Sequence, residues 1–478
     1  MTRYPIDPFT PAVELAAAIR RKEVSPVEVV DVFLERMDEL DGRLNAFCHR
    51  ADDEVRKAAS AAADAVLGAA SPEDLPPFHG VPLPVKDLLD VAGWPTTFGS
   101  AGASRAPAGA SDPVVQRFVE AGFVLLGKTT TSEFGTVPFT ESEALGISRN
   151  PWDPNRTPGG SSSGAGAAVA AAMAPIAHGG DGGGSIRIPA SCNGLVGLKP
   201  TRGLVTNVTI DLEGLATNGV LTRTLADTAA ALDVLARHDP AAWWSPPTPP
   251  RSFAGAMTTD PPTGLRIGVL VDSPIDGIDV DPACVAAVDA ALRTLESMGH
   301  HVIDAPLPLP PTDELVAAFT TIWNVGGAGI PLAEPDRVEP HNRALRDAAR
   351  AINSWTYAEA VRQTQLLSRR IVEAIVTSFD LLVTPTMACL PPPVGAWRAG
   401  SDDPLMPLLN SYPMAVFTSL INVTGQPAIS VPIHHDDTSG LPVGVQIVAA
   451  PWREDLLLQV SRTLEHAHPW TNRRPAVS

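Results

Sequence analysis

Lys86, Ser161 and Ser185 are the residues whose types and surroundings offer chemistry that needs neither metal nor histidine. Each serine lies in a glycine-rich stretch, PGGSSSGAGAAVA (158–170) or GGDGGGSIRIPA (179–190), and the lysine follows the extended segment GVPLPV (80–85). Cleaving an amide requires a nucleophile, a base for its proton, donors for the oxyanion and an acid for the departing amine. Hydroxyls, a lysine held neutral and backbone N–H groups freed of side chains, as across Gly182, Gly183 and Gly184, supply all four.

Two familiar patterns compete for the same residues. Gly122 to Thr129, GFVLLGKT, fits the phosphate-loop spacing GxxxxGKT, but its four intervening residues read as an apolar strand, whereas phosphate binding needs an exposed polar loop after a strand. Gly160 to Gly164, GSSSG, fits the GxSxG nucleophile elbow and would make Ser162 the nucleophile of an α/β-hydrolase-type esterase with a histidine partner. An elbow follows a strand, and the preceding NPWDPNRTP (150–158) holds three prolines that no central strand tolerates.

The wider constellation is more specific. GVPLPVKD (80–87), the GGSS loop and GGDGGGSIRIPASCNGLVGLKPTRG (179–203) together resemble the amidase-signature family, as do the separations of 75 residues from Lys86 to Ser161 and 24 from Ser161 to Ser185. Similarity continues through INVTGQPAISVP (421–432) and GLPVGVQIVAAPWREDLLLQ (440–459), and is weakest over about 240–380.

The resemblance implies an α/β fold with a large mixed, twisted central sheet flanked on both faces by helices. It also implies Ser185 as nucleophile, Ser161 on a cis peptide as proton bridge and Lys86 as base. It puts the oxyanion hole at Gly182, Gly183, Gly184 and Ser185, and requires no cofactor. Ser185 would open a helix whose dipole favours the developing anion. Lys86 would have to be neutral, roughly three units below a reference pKa near 10.4, through desolvation and nearby donors. Many members carry threonine where this chain has Gly182.

Taken singly, these residues read blandly: Lys86 as a snorkelling lysine beside Asp87, Ser185 as a helix cap, the Gly-Ser loops as turns. Their combination reverses that reading. Asp181 and Arg187 are read as an ion pair shaping the glycine loop, Ser162 as hydrogen-bonding within the site, and His79 and His178 as packing or loop residues without a chemical task.

The elements that must hold these groups alternate between helix and strand. Ser25-Pro26-Val27-Glu28 combines a capping serine, a first-turn proline and a capping-box glutamate, predicting a helix. GVPLPV predicts a short strand with Lys86 at its end; Asp112-Pro113 opens a helix to Ala121, and Phe123–Leu126 is a buried strand. An Ala-rich helix to about Met173, a strand near Ile176 and a glycine loop at 179–184 follow. LRIGVLV (265–271), a helix from Asp281, HVIDA (301–305), LLVTPT (381–386), AISVPI (428–433) and VGVQIV (443–448) complete the pattern. Strands on both sides of a Pro-rich connection at about 240–263 predict one domain with one mixed sheet, and a variable pocket region at about 300–380.

Bulk properties narrow the partners. The 478 residues include 35 Lys and Arg against 53 Asp and Glu, a net charge of −18, with no basic run to neutralise phosphates, which disfavours nucleic acid and acidic membranes. Four scattered cysteines without a CxxC pair argue against a zinc knuckle or disulfide framework and suit a reducing cytoplasm. The N-terminus lacks a signal-peptide pattern, and the longest apolar run, Ala165 to Ala177, is too short to span a bilayer. The expected partners are a small amide substrate and water, and a homodimer is compatible with the sequence.

Within the family, the amidotransferase subunit serving misacylated transfer RNA is an alternative, but that branch resembles SIRQPA where this chain has Ile188 in SIRIPA. A degenerate ligand-binding member is disfavoured because all three catalytic positions are intact. Substrate choice rests on segments 132–140 and 319–329, where Phe134, Phe139 and Trp323 could line an apolar acyl or aryl pocket or pack as core aromatics. The expectation is an amidase for apolar-acyl or aryl amides, with esters and carbamates as lesser substrates.

Overall fold

Ser25 caps a helix over Pro26–Leu44 as its sequence predicts: its hydroxyl accepts the Glu28 N–H at 3.1 Å, and the Glu28 carboxylate accepts the Ser25 N–H at 2.8 Å. The computed structural model describes residues 6–478 apart from 210, 247, 250, 304–306, 310 and 399–401. The last residues of the HVIDA segment and two positions of the Pro-rich connection thus lie outside the described residues.

Thirteen strands are assigned among the described residues: β1 (Phe47–His49), β2 (Pro82–Lys86), β3 (Val124–Thr129), β4 (Glu141–Ser142), β5 (Gly146–Ile147), β6 (Ile176–Asp181), β7 (Val196–Lys199), β8 (Thr217–Thr222), β9 (Arg266–Val269), β10 (His301–Ile303), β11 (Leu381–Pro385), β12 (Ala428–Asp436) and β13 (Leu441–Ala449). Eight form a mixed sheet in the order β10-β9-β11-β13-β12-β7-β8-β6, parallel from β10 to β11 and antiparallel across the remaining pairs. All nine residues of β13, LPVGVQIVA, are buried, as an apolar run inside a covered sheet requires. Helices Arg187–Asn193, Pro282–Ser297 and Glu454–Ala467 pack on β12 and β13. The largest buried apolar cluster draws on residues from Ala12 to Val477.

One detail departs from a single sheet. β1, β3 and β2 form a separate three-stranded sheet, and β2 lies against β6 without joining its ladder. Pro82 and Pro84 remove two of the N–H groups a ladder would use. The link is instead a side chain: the Lys86 N–H donates to His178 Nδ1 at 3.3 Å.

Gly127, Lys128 and Thr129 belong to β3, which rules out the phosphate-loop geometry. Lys128 is fully buried and pairs with Asp87 at 2.6 Å. The four cysteines are unbonded, and no helix among the described residues is long and apolar enough to cross a membrane.

Denaturant unfolding should grade these features. Ser25→Ala removes one cap and is expected to lower stability by about 1 kcal/mol. Asp87→Ala leaves the buried Lys128 without its counter-ion, an expected loss of about 3–5 kcal/mol.

Candidate active site

Lys86, the last residue of β2, is 1% exposed, with Nζ 2.7 Å from Ser161 Oγ and 3.4 Å from the Gly180 carbonyl oxygen. Burial drives its pKa from 10.5 down to about 7, against the opposing pull of the Asp181 charge. Near neutrality the amine is therefore partly uncharged, able to take a proton from a hydroxyl beside it. Asp87, the neighbour in sequence, faces away and serves Lys128, so Lys86 is not a snorkelling surface group.

Ser161 follows a cis peptide bond from Gly160. The helix after it, Ser163–Ala170, approaches β1 and β3 so closely that a side chain at Gly164 would strike the Ala46 carbonyl and the Thr130 backbone. Ser162 stands at the N-cap position of that helix, but its hydroxyl donates to the Gly180 carbonyl at 3.4 Å instead of accepting from the first turn. Residues 148–162 contain no strand, so the strand-turn-helix geometry of a Ser162 elbow is not formed.

The second glycine stretch is shorter than its sequence suggests, because Gly179 and Gly180 continue β6 up to Asp181. Ser185 does not begin the helix: Ile186 precedes the first helical residue, Arg187. The loop is shaped by the fully buried ion pair anticipated between Asp181 and Arg187. Arg187 donates to both carboxylate oxygens at 2.8 and 2.9 Å, and the Gly184 and Ile186 N–H groups donate to the same carboxylate at 2.8 and 3.2 Å. Burial pushes the Asp181 pKa up, but Arg187 and Asn422 outweigh it and hold the group at about 2.

This network corrects the oxyanion assignment at one position. The Gly184 N–H is engaged by Asp181 and is not free for a substrate oxygen, while the N–H groups of Gly182, Gly183 and Ser185 have no acceptor among the described residues. Gly184 is required differently: its φ is +128°, and a Cβ there would collide with the Thr418 side chain. Gly182, where threonine was the familial alternative, accommodates Trp323, whose Cζ3 lies 3.3 Å from where a Cβ would stand.

Ser185 stands where two cavities meet, sharing the junction with Gly135, Thr136 and Trp323. Its hydroxyl has no hydrogen-bond partner among the described residues. One cavity, about 850 Å³ including its open mouth, has mainly apolar walls that include Ile188, Val316, Phe319 and Leu420. The other, about 1010 Å³ on the same measure, holds Lys86, Ser161, His178 and Asp181. Of the aromatics singled out from sequence, Trp323 borders both cavities and Phe134 the one that holds Lys86, whose mixed walls also include Leu88, Leu89, Phe98 and Ile330. Phe139 lines neither: it stacks on Trp397 with ring centres 4.1 Å apart, as a core residue.

Phe319, inside the candidate segment 319–329 but not singled out there, stacks on Trp323 at 5.1 Å, and their i,i+4 spacing on the helix Thr312–Ala328 was the available signal. Sequence reasoning missed Asn422 and Gln446, which accept from Arg187 at 2.6 Å each, and Thr217 and Asn218 on β8. His178, given no task, is buried and neutral, its pKa lowered by burial to about 3, and joins the two sheets. Arg187→Met should leave the Asp181 carboxylate buried without its cation, and urea unfolding is expected to register a loss of about 3–5 kcal/mol.

The Amidase family model matches residues 28–458 of this chain. The chain is 36% identical to the 6-aminohexanoate-cyclic-dimer hydrolase of Paenarthrobacter ureafaciens, over 98% of this chain and 97% of that protein. A solved structure of 6-aminohexanoate cyclic dimer hydrolase complexed with substrate superposes with a TM-score of 0.90 at 35% identity, covering 99% of this chain and 100% of that one. A bacterial aryl acylamidase of the amidase-signature enzymes superposes with a TM-score of 0.85 at 27% identity, over 97% of each chain. With the fold, the buried lysine and the serine-bearing glycine loops already in view, these likenesses establish that the chain belongs to the amidase-signature family and is an amidohydrolase of C–N amide bonds.

Proposed function

We propose that this amidohydrolase works through a Ser185 acyl-enzyme, with Ser161 and Lys86 as its proton relay and apolar-acyl or aryl amides as substrates. The observation that carries the reading is the buried Lys86 amine, 2.7 Å from Ser161 Oγ, in the same cavity as Ser185. In the first half-reaction Ser185 Oγ bonds to the amide carbon, and its proton passes through Ser161 to Lys86. The carbonyl oxygen becomes an anion facing the free N–H groups of Gly182, Gly183 and Ser185. Collapse breaks the C–N bond as the proton returns through Ser161 to the leaving nitrogen. Water, deprotonated by the same relay, then releases the acid and restores Ser185.

The apolar cavity beginning at Ser185 supports the choice of acyl group, since Phe319, Trp323 and Ile188 offer aromatic and aliphatic walls. Esters and carbamates present a similar carbonyl and are expected as slower substrates. A net charge of −18 and four unbonded cysteines support a cytoplasmic enzyme acting on small molecules rather than nucleic acid, and the buried apolar cluster that runs from Ala12 to Val477 supports a single domain.

The test is hydrolysis of a panel holding apolar-acyl p-nitroanilides, 6-aminohexanoate cyclic dimer and charged peptide amides. Ser185→Ala, Ser161→Ala and Lys86→Ala are each expected to lose on the order of 10³-fold or more in kcat while remaining folded. Retained activity in Ser185→Ala, or turnover of charged peptide amides alone, would overturn the mechanism or the substrate assignment respectively. Only the neutral amine accepts a proton, so wild-type kcat/KM is expected to rise as pH passes about 7 and to level off above it.

A further inference from the structure

The cavity that holds Lys86 and Ser161 does not end at those residues. It continues past Thr217 and Asn218 to Asp211, and these three residues also line a second, polar groove that runs to Asn207, Trp243 and Trp244. Thr217 opens β8 opposite Asp181, is 7% exposed, and its hydroxyl is buried without a hydrogen-bond partner among the described residues. A buried hydroxyl with no partner forfeits free energy, so a ligand that supplies one recovers it.

The neighbouring amide is oriented by the active site itself. His178 Nδ1 accepts the Lys86 N–H, so the ring proton is on Nε2 and is donated to Asn218 Oδ1 at 3.1 Å. That fixes the Asn218 carbonyl toward the histidine and leaves its NH2 group without an acceptor among the described residues. Asp211 carries a carboxylate that receives Thr209 Oγ1 at 3.0 Å and a hydrogen bond from the Asn207 side chain; burial pushes its pKa up, and it forms no ion pair among the described residues. Arg202, in the same groove, is committed to the carbonyls of Gly214, Asn422 and Val423.

Which half of a substrate meets these residues follows from the relay and so rests on the mechanism proposed above. A departing nitrogen must collect its proton from Ser161, and Ser161 and Lys86 line the cavity that reaches Thr217 and Asn218 but not the one walled by Val316, Phe319 and Leu420. The acyl portion therefore occupies the cavity of Phe319 and the amine portion the cavity of Lys86. We infer that Thr217, Asn218 and Asp211 form a binding subsite for the leaving amine, selecting one with a carbonyl close to the nitrogen and a cationic group at its far end. The carbonyl would accept from Asn218 and Thr217, and the cation would lie against Asp211. Amides between an apolar acid and a basic amino-acid amide have this form.

Three substrates with one phenylacetyl group separate the contributions: its amides with lysinamide, norleucinamide and hexylamine. Wild-type kcat/KM is expected to be about fivefold higher for lysinamide than for norleucinamide, a preference that declines with salt, and about fivefold higher for norleucinamide than for hexylamine. Asp211→Asn should bring the first ratio to near one, and Thr217→Val should reduce the second. Because the Thr217 hydroxyl has no protein partner, Thr217→Val is expected to keep or raise Tm. A lowered Tm would make the hydroxyl structural and remove it from the subsite. Equal rates on all three substrates would overturn the subsite while leaving the Ser185 mechanism standing, whereas turnover undiminished in Ser185→Ala would overturn the mechanism itself.

Discussion

The site depends on keeping one amine out of water. An ammonium moved into a protein interior loses several kcal/mol of hydration that only a well-placed counter-charge restores, so a buried lysine without one releases its proton. Lys86 has an acidic neighbour, Asp181, whose charge opposes that release. What limits the opposition is Arg187: its guanidinium fork takes both Asp181 oxygens, and Asn422 and Gln446 hold it in place. The ion pair thus has two effects. It folds the glycine loop through the Gly184 and Ile186 N–H groups, and it draws the Asp181 field away from Lys86.

Lys199 makes a useful contrast. It too is buried, and its pKa is likewise lowered to about 7 by burial and then by Arg187, yet its Nζ donates to the Pro200 carbonyl and it borders neither cavity at Ser185. A depressed lysine is therefore a consequence of burial in this part of the sheet, not in itself a sign of catalysis. Lys86 differs by position. It ends a strand whose prolines keep it out of the large sheet, and the resulting seam between β2 and β6 is where the cavity opens. His178 holds that seam from β6, and only as a neutral ring can it accept the Lys86 N–H.

The sequence disclosed those parts of the site where the backbone needs special residues. Glycines at close approaches, serines within them and a lysine after a Pro-broken strand are local features, and they located Lys86, Ser161, Ser185 and the Asp181–Arg187 pair. Six of the eight strands of the large sheet were legible from their apolar residues, whereas β7 (VGLK) and β8 (TNGVLT), short or opening on polar residues, were not singled out. What stayed hidden depends on contacts distant along the chain. The stacking of Phe139 on Trp397 joins residues 258 apart in number only through the fold, so nothing near Phe139 separates core from pocket. Likewise, that Gly184 spends its N–H on Asp181 follows from loop curvature that three consecutive glycines leave open. Thr217 and Asn218 carry no motif, and acquire meaning only because β8 pairs with the strand that bears Asp181.

The placement of Lys86 and Ser161 on just one side of Ser185 also bears on how an acyl-enzyme would be resolved. An apolar cavity retains an apolar acyl group by the same burial that bound it, so the acyl chain has little reason to follow the amine out. The other cavity has mixed walls, with Leu88, Leu89, Phe98 and Phe134 among them, but emptied of its amine it also presents the Thr217 hydroxyl, the Asn218 NH2 and the Ser161–Lys86 pair, which offer water hydrogen-bonding partners. On the proposed mechanism, departure of the first product and arrival of the second reactant thus use the side of Ser185 where Ser161 and Lys86 stand, while the other side stays closed by the bound chain.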